Sequence, residues 1–104
     1  MLSAATPSFA FDTTELLGKW IHKGAKSDMI VEFTPTSMSF YPVGPDRKPL
    51  APPQPTSVTY RLLGDTIGID LGPGPGFIVL PHDHDTITLD IPGLFAHRLI
   101  RLRP

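Results

Sequence analysis

The chain has no cysteine, which rules out disulfides, thiolate-bound zinc and a cysteine nucleophile while leaving the compartment open. It also has little charge imbalance. Nine Lys and Arg against ten Asp and Glu leave a formal net charge of -1. So weak a field neither gathers a phosphate backbone nor holds an anionic membrane surface, and no nucleic-acid partner is expected. Long hydrophobic runs are missing as well. Asp, Gly or Pro interrupts every apolar stretch well short of the roughly 20 residues that span a bilayer, so no membrane span is expected.

What the chain does have is turn formers. Its 13 prolines and 9 glycines in 104 residues favour many short strands over long helices. That length accommodates one hydrophobic core, since a second independent core would need more than about 50 residues of its own. Residues 1–11 read as a flexible lead and 12–104 as a single domain. The lead is rich in small residues (Ser3, Ala4, Ala5, Thr6, Ser8, Ala10) but lacks a basic start and a continuous apolar stretch. It fits the segment that follows a removed export signal, which favours a periplasmic or secreted location.

Asp12-Thr13-Thr14-Glu15 has the form of a capping box and predicts a single helical turn, because only Leu16 and Leu17 separate it from Gly18. Beyond it the apolar period is two. Met29, Val31 and Phe33 alternate with Asp28, Ile30 and Glu32; Ile67, Ile69 and Leu71 with Thr66, Gly68 and Asp70; Ile87, Leu89 and Ile91 with Thr88 and Asp90. Further strands are expected over 19–23, 37–41, 58–62, 77–80 and 94–102. Residues 42–55 hold Pro42, Pro45, Pro49, Pro52, Pro53 and Pro55, a density that excludes a central strand and predicts a long, stiff connection. About eight strands joined by successive turns, with no helix long enough for a parallel crossover, predict an all-β fold: a small antiparallel up-and-down barrel.

Gly18-Lys19-Trp20 at the start of the first strand, entered through a helical turn, resembles the first signature of the lipocalin-like (calycin) families, in particular their short bacterial domains. The resemblance implies that Trp20 plugs the closed end of the barrel and that an arginine of the last strand packs across it. Arg101 is placed there by strand direction. Arg98 is the alternative if Ile100 and Leu102 point inward. The middle lipocalin signature and the helix after the barrel have no counterpart here.

Several segments have the look of chemistry. His82 and His84, two apart, would share a face of an extended strand and could bridge a divalent metal, with His22 or His97 as a third ligand. A solvated turn explains Pro81-His82-Asp83-His84-Asp85 equally simply, and no metal is assigned. There is no Gly-x-Ser-x-Gly elbow, and Asp65, Asp70 and Asp90 fall on turns or outer faces rather than as a catalytic pair. Gly72 to Gly76 lacks the amides and the following helix of a phosphate loop. Pro42-Val43-Gly44-Pro45-Asp46-Arg47 matches a P-x-x-P-x-Arg recognition motif, and serves equally as a spacer.

An eight-stranded barrel is either filled by side chains or just wide enough for one small ligand. If it holds a ligand, Met38, Phe40, Tyr60 and Phe77 are the expected lining, with the Tyr60 hydroxyl as the orienting polar group. The function expected is a non-enzymatic, lipocalin-like protein that takes a small apolar or amphipathic ligand at its open end without a cofactor. The alternative is a protein-interaction module, such as an inhibitor or immunity-type protein, acting through a filled barrel and residues 42–55.

Overall fold

A computed structural model describes residues 11–72, 76–93 and 95–102, for Phe95 its backbone only. Among the described residues one helical turn, α1 (Thr13–Leu16), precedes nine strands: β1 (Gly18–His22), β2 (Asp28–Phe33), β3 (Ser37–Val43), β4 (Thr56–Ser57), β5 (Thr59–Leu63), β6 (Thr66–Asp70), β7 (Phe77–Asp83), β8 (Thr86–Ile91) and β9 (Phe95–Arg101). All pair antiparallel in the order β4-β3-β2-β1-β9-β8-β7-β6-β5. The all-β barrel expected from the sequence is therefore present. The count of about eight also has a simple basis. β4 and β5 are one descending segment broken at Val58, whose first residues pair with β3 and whose last pair with β6. That segment brings the two ends of the sheet together. The Val58 amide donates to Thr36 O at 2.9 Å at the break, and among the described residues no helix is long and apolar enough to cross a membrane.

Register decides the core. Trp20 lies opposite Val31 and Arg101, Val31 opposite Phe40, and Phe33 opposite Met38, so these side chains share the inner face. Continuing round the wall, Leu99, Ile87, Leu89, Val79, Ile67 and Ile69 complete a cluster that also contains Leu16 and Val58. Burying each large aliphatic side chain stabilises the fold by about 1.5–3 kcal/mol before entropy is counted.

The outer face differs from the simple alternation expected. Tyr41, Ile30 and Ile21 lie in one cross-strand row and, with Val43, form a second buried cluster joined by Leu102. Leu99 and Arg101 point inward and Ile100 outward, which excludes Arg98 as the inner arginine and leaves Arg101. Leu62, on the same face of its strand as Tyr60, is 58% exposed, because among the described residues β5 there has β6 on one side and no strand on the other.

Two prolines sit within strands rather than at their ends. β3 runs on through Pro42, whose carbonyl accepts from the Leu50 amide at 2.9 Å. The missing N–H thus faces the edge away from β2, where no central ladder needs it. β7 likewise continues through Pro81 to Asp83 past a bulge, along a stretch with no β6 partner. The connection after β3 begins as a tight turn in which Arg47 N donates to Gly44 O at 2.8 Å and Arg47 has φ 63. That geometry is a β-turn rather than the polyproline helix a P-x-x-P motif would present.

Candidate functional site

Strand alternation gives the barrel two unlike ends. The turns after β2, β5 and β7 lie at the end that carries α1; the connections after β1, β3, β6 and β8 lie at the far end.

At the α1 end a set of polar groups hold one another. Asp12 caps the turn by accepting from Glu15 N at 3.1 Å and from the Thr14 hydroxyl at 2.6 Å, contacts that hold its carboxyl below the usual carboxylate range, the hydroxyl first. Glu15 does not complete the box. Its carboxylate faces His84 Nδ1 at 3.6 Å and Arg101 Nη2 at 3.9 Å. Gly18 has φ +122, a backbone setting that side-chain-bearing residues rarely adopt, and it swings the chain from α1 into β1. Trp20 is fully buried and donates its indole N–H to Leu16 O at 2.8 Å, satisfying a carbonyl left free at the end of the helical turn. Arg101 lies over that indole, its guanidinium carbon 4.3 Å from the ring centroid. The same guanidinium donates to Glu15 O at 2.8 Å and to His84 O at 2.6 Å, and from Nε to Asp85 Oδ1 at 3.2 Å. Phe11, at the end of the lead, packs its ring 6.4 Å from Trp20.

The His82 and His84 pair is taken apart by this arrangement. The bulge at Pro81–Asp83 turns His82 towards Thr88, with Nε2 2.6 Å from Oγ1, while His84 sits in the next turn beside Glu15. Asp83 accepts from Asp85 N at 2.8 Å, which lowers its carboxyl's pKa. Among the described residues no group of three or more His, Cys, Asp or Glu converges as a metal cage.

The far end brings together two aromatic side chains. Phe40, on the Trp20 face of β3, meets Phe77 at the start of β7 edge to face, with centroids 6.0 Å apart. Phe40 remains 38% exposed, because β4 pairs with β3 only at Ser37 and Met38. His22 at the end of β1 and His97 in β9 also belong to the inner face, opposite Met29 and Leu89 respectively. Their rings are 4.3 Å apart at the centroids and tilted by 56°. His22 Nδ1 lies 3.1 Å from Arg98 O; since a carbonyl only accepts, Nδ1 carries the hydrogen and the neutral ring's lone pair is on Nε2. Burial, and then the neighbouring His22, hold the pKa of His97 below the ordinary histidine value.

Of the four expected lining residues, the structure brings Phe40 and Phe77 together at the far end. Met38 is buried in the main core. Tyr60 lies against that core, and its hydroxyl contacts Thr34 O at 2.7 Å and Ser37 O at 3.0 Å, bridging the barrel seam below β4. The hydroxyl is thereby committed to the backbone, and burial pushes its pKa up to about 12. The His22 and His97 pairing is the feature sequence reasoning missed. In the sequence each stands only as a third ligand to His82 and His84, and the signal that points to the pair is their parity with Trp20 and Leu99.

Comparison with known proteins gives no match to a family model, a curated protein or a solved structure.

Proposed function

We propose that this chain is a non-enzymatic, lipocalin-like barrel that binds a small apolar or amphipathic molecule at the end away from α1. The observation that carries the reading is Phe40, an inward-facing aromatic side chain left 38% exposed and in contact with Phe77. An aromatic pair on the inner face, beside the seam where β3 lacks a partner, supplies apolar area at little conformational cost. The interior is packed by a buried cluster that includes Val31, Leu89 and Leu99, so the ligand would sit at the mouth rather than deep inside. Native mass spectrometry of the chain purified from cells, followed by titration with a fluorescent alkyl probe, tests this. The expected result is one probe bound per chain, with binding weakened at least about tenfold in Phe40→Ser. Equal binding by Phe40→Ser would refute the site.

One observation favours a second reading, a protein-interaction module. Leu50 is 63% exposed on the proline-rich connection, yet the Leu50 amide is fixed to Pro42 O. Beside it an open cleft of about 270 Å³ runs between Lys26, Asp28, Val43 and Pro45. Replacement of Leu50 by Asp should abolish capture of a partner without lowering the melting temperature; capture unchanged in that variant would count against this surface.

A further inference from the structure

Two imidazoles reach the same place from neighbouring strands, and the spacing between them is preset. β1 and β9 are held in register by Trp20 opposite Arg101 and Ile21 opposite Ile100, just below His22 and His97. Two imidazoles bound side by side at right angles on one metal ion, each with a metal–nitrogen bond of about 2.1 Å, place their ring centres about 4.5 Å apart. A tetrahedral angle would spread them to about 5.2 Å. The observed separation is 4.3 Å with a 56° tilt, near the right-angle value.

The second observation concerns His22. Its Nδ1–H donates to the Arg98 carbonyl, the kind of contact that typically fixes a metal-bound histidine and leaves its other nitrogen to the metal. In the neutral tautomer that makes this contact the electron pair lies on Nε2, where a Lewis acid can take it.

We propose that His22 and His97 form a two-histidine site for a divalent transition-metal ion that favours right-angle nitrogen ligands, Cu²⁺ or Ni²⁺, with its remaining positions open to water or to a donor atom of a bound molecule. The site is independent of whether an apolar ligand enters the same end, because the metal alone is the probe.

The test is a titration of the untagged full chain with Ni²⁺, followed through the imidazole signals in two-dimensional NMR. His22 and His97 signals should broaden at the lowest metal concentrations, ahead of His82 and His84. His22→Gln, whose amide can still donate to Arg98 O, should bind Ni²⁺ at least about tenfold more weakly at an unchanged melting temperature. His82→Gln should bind like the parent chain. If His22→Gln proves unstable, His97→Gln answers the same question from the other strand. Broadening that begins at His82 and His84, parent-like affinity in the His22 or His97 variant, or no change at any imidazole up to millimolar metal would each overturn the proposal.

Discussion

The two ends of the barrel are built from the same alternating strands but are finished differently. At the α1 end, Trp20, Arg101, Glu15 and Asp12 hold one another, and each hydrogen bond closes a loop in the chain. At the far end, Phe40 and Phe77 touch only edge to face, Phe40 is over a third exposed, and two imidazoles face each other. The difference separates stability from recognition. An end whose polar side chains hold one another resists change, whereas an end with exposed aromatic surface and a lone pair to offer can gain contacts from a ligand.

If that division is right, substitutions at the two ends should differ sharply in cost. Trp20→Ala removes the fully buried indole, its bond to Leu16 O and the surface under Arg101. Urea denaturation should show a loss of about 3–5 kcal/mol, enough to unfold much of a domain this small. Phe40→Ala at the other end should cost below about 1 kcal/mol in the same assay. Equal costs would erase the distinction.

Arg101→Met comes next. The guanidinium side chain is only 16% exposed, and its loss leaves the Glu15 and His84 carbonyls without their donor. A loss of about 2 kcal/mol is expected in thermal melts, and Arg101→Lys should recover less than half of it, because an ammonium cannot reproduce the planar fork.

Tyr60→Phe probes the seam between the ends and should cost about 1–2 kcal/mol at neutral pH. Its pH dependence has a definite sign. The folded-state pKa is raised from 10.0 to about 12, so the phenol's contribution is complete below pH 10 and is lost as pH rises through the folded value. The stability gap between the parent chain and Tyr60→Phe should therefore shrink between pH 10 and about 12, as read from denaturant midpoints. A gap that widened in that range would mean that the hydroxyl is not held in its protonated form.

The barrel was legible in the sequence because its signals are local: Met29, Val31 and Phe33 mark an inner face without reference to any other strand. The closed end was half legible. Gly18-Lys19-Trp20 located the plug, but the choice of Arg101 over Arg98 depended on which face Leu99 takes, and the flanking Ile100 and Leu102 are equally apolar. The outer row of Tyr41, Ile30 and Ile21 could not be read, since alternation predicts one apolar face and these strands have two. Nor could the far end. His22 and His97 meet only through the register of β1 against β9, and Phe40 meets Phe77 only when the barrel closes.

The division between the ends is tested most directly by mapping backbone amide shifts as the fluorescent alkyl probe is added. The amides around Phe40 and Phe77 should move, together with those of His22 and His97, while those of Glu15, Trp20 and Arg101 stay fixed. Shifts centred on Trp20 and Arg101, or no shifts at Phe40 and Phe77 at saturating probe, would contradict it.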